Sequence, residues 1–503
     1  MTHKPAALLA AAIAALGLLA SACTPGDDAA DGTDDETTTA PSTRPPAASA
    51  PPETLAPGEA GPEEPPEVEW VVQVGSADND GLESVAARDD ELVAVGWSEG
   101  DLGGTPSGGT DALAVTVGTD AEVRSSSLLG SSGDDRAAAV GSGASGTISC
   151  GSTSGSLSGP PTGPTDAWCA PVLGDGALGP VHQQGGTEAD VLHAAAMTPE
   201  GDDGYAAGAT AGLFPGASDS SSGFLGAGDA LIWKVDASGI PVWIRQFGTA
   251  AADEATGVAA TPDGDGIVTG STLGDLDGPS AGGVDGFVSR YDPDGLPRWS
   301  RQFGSAGDDT AADVAVGGEP ARGTETFVVV GSTTGKVAPA LGGELTDQLD
   351  APRADGGEPA PSNAGGDDAL VAAFDATGDP VWTTQLGTAT DDTATAVSLD
   401  GSTVLVGGTT SASLATNGTP AAGGIDGFLA AVDRDTGRLR WITQFGSPED
   451  DRVTGLAVTE DGLVVLSGTT SGQMGEDPPA GGTDGFLIAF PLPSAGGSVA
   501  SAL

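Results

Sequence analysis

The sequence predicts an all-β fold, a seven-bladed β-propeller closed by the N-terminal strand joining the last blade. Three observations predict it. A stretch of the form Trp-x-x-Gln-Phe-Gly, fullest at residues 299–304, recurs with its glycine at Gly75, Gly130, Gly186, Gly248, Gly304, Gly387 and Gly446. A period of roughly 50–60 residues with four strand-like runs per unit is the signature of propeller blades. The last unit lacks its fourth run, while a spare run stands ahead of the first unit at residues 69–73.

The chain begins with an address. Residues 6–19 are apolar and follow Lys4, and small residues lead to Cys23. A run of this length is too short to span a bilayer, and its pattern is that of a bacterial lipoprotein signal over residues 1–22. Cys23 is then the lipidated mature N-terminus, and an ordinary signal cut near Ala22 is the alternative. Residues 23–66 are rich in Asp, Glu, Thr, Pro and Ala with almost no large apolar residue. They cannot bury enough surface to offset ordering entropy, so they are expected to be an extended tether. The propeller is expected over residues 67–492 and a flexible tail over 493–503.

Within the repeat, the unit after Gly248 shows the order of strands. Runs at 256–260, 267–272, 285–291 and 296–303 are separated by turns rich in Pro, Asp and Gly. The first run is built of Ala, Val, Gly and Thr, which suits the crowded strand nearest a central axis. The fourth carries the tryptophan, Trp243, Trp299, Trp382 and Trp441 in successive good copies, and is expected outermost. Trp70 is the displaced copy, so its strand should pair beside residues 484–490 and close the ring, removing edges that invite aggregation.

Export permits a disulfide. Besides Cys23 only Cys150 and Cys169 are present, on neighbouring antiparallel runs of one unit, and they are expected to pair. An aspartate recurs at one position of each unit: Asp111, Asp166, Asp229, Asp285, Asp368, Asp426 and Asp484. Repetition in every unit favours a fold device in which the carboxylate accepts backbone N–H bonds. The alternative, Ca²⁺ on these loops or on the Asp pairs after each motif glycine, rests on hard oxygen ligands. No other cofactor is implied and no EF-hand loop is present. Of the three histidines, only His193 lies on an inner run, and it reads as a partly buried core residue.

Formal charge narrows the partners. With 17 Lys and Arg against 72 Asp and Glu, the net charge is −55, and nucleic acid is excluded as a partner because phosphate binding needs clustered cations. Two features break the repeat: an insertion within residues 336–365 and a long loop at 213–228 carrying Phe214, Phe224 and Leu225. Variable loops on a rigid scaffold carry recognition, so these three apolar residues are candidate contacts on a binding face.

The pattern Trp-x-x-Gln-Phe-Gly, then Asp, then Gly-Ser-Thr-x-Gly, then Gly-Gly-x-Asp-Gly-Phe resembles the bacterial SBBP-type β-propeller repeat. The best copies are residues 270–272 with 282–287, and residues 423–428. The likeness spans residues 70–490, with the second and third copies degraded. It implies a propeller in an exported protein and no particular activity. The expected function is therefore a non-catalytic, monomeric lipoprotein of the cell envelope, touching the membrane only through its lipid anchor. Its propeller would bind or scaffold a protein or polysaccharide. The alternative is an extracytoplasmic hydrolase or lyase working at the mouth of the central channel.

Overall fold

A computed structural model describes residues 63–217, 226–318, 324–337, 365–416, 420–475 and 479–492. They form seven four-stranded antiparallel sheets arranged in a ring. Within the first six blades the strands run in sequence order from the axis outwards, and the innermost strands of all seven neighbour one another around the channel. Blade four is representative: Asp253–Ala260 is innermost, followed by Gly266–Thr272, Asp285–Tyr291 and Pro297–Phe303. The small residues of the first run do sit at the axis, and the tryptophan strand does sit outside.

Closure follows the predicted route. Trp70–Val74 pairs antiparallel with Asp484–Pro491, with Trp70 opposite Ala489 and Val74 opposite Gly485. The seventh blade therefore takes three strands from the C-terminal end and its outer strand from the N-terminal end. Each of seven hydrophobic clusters fills the space between two neighbouring blades. Between blades four and five, for example, Ile267 and Val288 meet Phe327, Val329 and Phe374. The core is thus a ring of inter-blade layers, and each blade is stabilised by both neighbours.

The motif tryptophan makes one of those joints. Trp243 Nε1 donates to Pro293 O at 2.9 Å, Trp299 Nε1 to Ala376 O at 3.2 Å and Trp382 Nε1 to Arg434 O at 2.7 Å. Each acceptor lies in the hairpin between the third and fourth strands of the next blade. Trp70 makes the same bond across the closure, to Thr119 O of blade one at 3.1 Å. Trp441 precedes the seventh blade, which has no such hairpin, and is buried against Phe490 instead.

In blade two, Cys150 and Cys169 stand directly opposite each other on Thr147–Thr153 and Asp166–Pro171 and are joined by a disulfide, with Cα atoms 4.1 Å apart.

Candidate functional site at the channel mouth

Every repeated polar residue of the motif is engaged within the fold. The third-strand aspartates accept loop amides: Ser107 N donates to Asp111 at 2.7 Å, Ala281 N to Asp285 at 2.8 Å and Ala480 N to Asp484 at 2.9 Å. The motif glutamine of the outer strand donates to the same carboxylate, as Gln302 to Asp285 at 2.7 Å, Gln246 to Asp229 at 2.6 Å, Gln183 to Asp166 at 2.9 Å and Gln444 to Asp426 at 2.8 Å. Its amide oxygen accepts a loop N–H, from Leu276 in blade four and Leu414 in blade six. The motif glycine follows from this clamp, because Asp285 Oδ1 fills the space that a Cβ on Gly304 would need. Asp368 occupies the same place against Gly387 in blade five.

A second aspartate, five residues after each motif glycine, opens each innermost strand: Asp80, Asp135, Asp190, Asp253, Asp309, Asp392 and Asp451. It accepts the N–H of the residue following the glycine, Thr249 N to Asp253 at 2.5 Å and Thr388 N to Asp392 at 2.6 Å. These carboxylates are buried, and burial raises the pKa of Asp253, Asp392 and Asp451 and pushes Asp190 up to about 6, with Asp166 and Glu188 adding repulsion. The spacing also corrects the register at one unit, where the glycine in step is Gly185 rather than Gly186.

Each innermost strand then bulges at the third residue after this aspartate. A bulge re-aims the side chain next to it. The first residue after the aspartate and the bulge residue itself are at least partly exposed in every blade except at Gly81, which Trp97 covers. These two positions, on strands that surround the axis, line the mouth of the channel on the face of the inter-blade loops. The bulge threonines seal neighbouring blades: Thr256 Oγ1 donates to Ala311 O at 2.6 Å, Thr395 Oγ1 to Val453 O at 2.9 Å and Thr454 Oγ1 to Leu82 O at 2.7 Å.

Blades one, two, three and five carry another residue at the bulge: Glu83, Ala138, His193 and Ala312. Glu83 takes the bulge in blade one and accepts Trp97 Nε1 at 2.8 Å. The Arg136 guanidinium of blade two lies 4.6 Å from the centre of the Trp97 ring. His193 takes the bulge in blade three, with Nε2 2.8 Å from Glu254 Oε1 of blade four. On the other side of Trp97, blade seven presents Arg452 at the position equivalent to Arg136. The mouth is therefore asymmetric, with an indole in blade one and an arginine at the equivalent position of each neighbouring blade. Its two carboxylates do not converge: Glu83 and Glu254 stand in blades one and four, each beside its own partner.

No family model matches the chain. A curated protein of Caulobacter vibrioides, "Regulatory protein FlaEY", is 29% identical over 293 residues, covering 54% of this chain and 28% of that protein. The chain thus spans less than a third of the relative's length. Among solved structures, a phage phi92 endosialidase is 10% identical with a TM-score of 0.43, covering 86% of this chain and 71% of that one. The β-propeller domain of the Trilobed protease from Pyrococcus furiosus is 8% identical with a TM-score of 0.40, covering 85% and 99%. Identities at this level speak to fold alone.

The residues expected to bind separate under the structure. Phe214 is not a surface contact. It is 1% exposed, its ring centre lies 5.3 Å from that of Trp233, and its N–H donates to Gln246 Oε1. The physical reason is the loop clamp: the residue four after the end of the second strand is apolar in all seven units, being Leu102, Leu157, Phe214, Leu276, Val337, Leu414 and Met474. Phe214 is the third member of that column, and the column would have revealed it. Phe224, Leu225, Cys23 and most of the insertion at 336–365 lie outside the described residues. His193, read as a partly buried core residue, is partly buried, with its side chain 34% exposed, and stands at the mouth. Trp97, Arg136 and Arg452 were missed because the invariant columns drew attention. The signal was a variable column, where Gly96-Trp97-Ser98 stands in place of Gly270-Ser271-Thr272.

Proposed function

We propose that this chain is an envelope lipoprotein that binds rather than transforms its partner. Cys23 would carry the lipid, residues 24–66 would hold the propeller off the membrane, and the loop face would meet a protein or polysaccharide. The observation that carries the reading is the channel mouth. It offers an aromatic ring and guanidinium groups that form no ion pair among the described residues, while Glu83 accepts Trp97 Nε1 and Glu254 lies 2.8 Å from His193 Nε2. General acid–base hydrolysis needs two carboxylates across one scissile bond, roughly 5 to 9 Å apart, whereas Glu83 and Glu254 are separated by two intervening blades. The name of the curated relative, a regulatory protein, sits with a binding role. Two measurements test the proposal. Cys23→Ser should move the chain from the membrane fraction to the soluble one. The purified full chain should retain an envelope component on an affinity column without altering its mass; turnover of a captured glycan or peptide would count against the reading.

A further inference from the structure

We propose that the mouth between blades seven, one and two is a site for a small sugar acid, a saccharide bearing a single carboxylate. This deepens the binding reading and rests on it.

Four observations lead there. Arg136 and Arg452 form no ion pair among the described residues, although the chain holds 72 acidic side chains against 17 basic ones. Excess carboxylate elsewhere has not drawn these two guanidinium groups away, so their charge is directed to the mouth. Both occupy the residue after the strand-opening aspartate, on the blades either side of Trp97, so they stand at one level along the axis. A guanidinium recognises a carboxylate by two parallel N–H···O bonds. Second, Trp97 is fixed. Its Nε1 is held by Glu83, and Gly81 beneath it has no Cβ to lift the indole, since that Cβ would fall 2.9 Å from Trp97 Cε2. A fixed aromatic platform with a few polar groups is the make-up of a small-molecule site.

Third, a hydroxyl residue adjoins the indole: Thr469 of blade seven stands opposite Arg452 on the neighbouring strand, and a Cβ on Gly81 would fall 2.9 Å from its methyl, as from the Trp97 ring. Hydroxyl donors and acceptors suit a polyol. Fourth, the net charge of −55 opposes any polyanion. The field favours a ligand with one negative group that reaches the two arginines and keeps the rest neutral. An acidic peptide or a long polyuronate satisfies the guanidinium groups but is repelled along its remaining length.

The test uses the purified full chain and indole fluorescence with calorimetry. Galacturonate should bind at least tenfold more tightly than galactose, and hexaglutamate should bind no better than galactose. Arg136→Gln and Arg452→Gln should each weaken galacturonate at least tenfold while leaving the melting temperature unchanged, because neither side chain is buried. Trp97→Phe should abolish the fluorescence response and leave calorimetric binding detectable. Equal affinity for galactose, preference for hexaglutamate, no binding of galacturonate, or indifference to both arginine changes would overturn the proposal. Capture of an envelope partner undiminished in the double arginine variant would overturn this site and leave the binding-module reading standing.

Discussion

Trp299 and Gly378 belong to different blades and constrain each other. Gly378 has φ of +79°, a region that side chains rarely adopt, and a Cβ there would fall 2.8 Å from the Trp299 ring. Gly378→Ala should therefore destabilise by roughly 1–3 kcal/mol, from backbone strain and overpacking together. A thermal melt reads this, and the loss should shrink when Trp299 is also replaced by Ala, since the clash needs both. Asp190 makes a pH-dependent prediction at the same scale. Burial raises its carboxyl to about 6, above its unfolded value of 3.8. Between those pH values the folded state holds more protons than the unfolded one, so stability falls as pH rises through the window. The slope from this group cannot exceed one proton, about 1.4 kcal/mol per pH unit. Asp190→Asn keeps an oxygen to accept Gly186 N–H and removes the titration. Its stability should fall less steeply than that of the wild type from pH 4 to 6, and an unchanged slope would assign the titration elsewhere.

At the scale of the element, the outer strand Trp70–Val74 makes the strongest prediction. Removing residues 63–75 leaves Asp484–Pro491 as an unpaired edge and strips Val72 and Val74 from the layer shared with blade one. A truncated chain should melt at a lower temperature and aggregate with rising concentration; a monodisperse truncation with the native melting point would show that closure contributes nothing. That strand was legible because its motif copy had no unit in front of it. The other blades were legible for the same reason, since seven repetitions average out the ambiguity of any single short strand. The inner strands begin earlier than the apolar pattern suggested, at Asp253 rather than 256 in blade four, because a buried aspartate that accepts turn amides pairs like a strand residue. The mouth was illegible for the opposite reason. Repetition marks what builds the blade, and Arg136, Arg452 and Trp97 are places where the repeat is broken. Phe214 shows the converse error: an aromatic residue in an unusual loop looked like an exception and was the ordinary occupant of a repeated plug.

Charge acts on the whole molecule. A formal charge of −55 destabilises the compact state through self-repulsion, and few cations are present to offset it. Exposed pairs such as Arg124 with Asp90, 3.7 Å apart, contribute little. The pairs that matter are buried: Arg290 binds Asp265 at 2.6 Å and Glu325 at 2.7 Å, joining blade four to blade five. Salt screens the diffuse repulsion strongly and these contacts weakly. Raising NaCl from about 10 mM to about 300 mM, across which the screening length falls from about 30 Å to under 10 Å, should therefore raise the melting temperature. A fall would mean that ion pairs outweigh repulsion. Lowering the pH towards 4 also stabilises, but by two routes at once, because it discharges surface carboxylates and protonates Asp190. The two separate in the Asp190→Asn variant, which should keep the full response to salt while losing part of the response to acid.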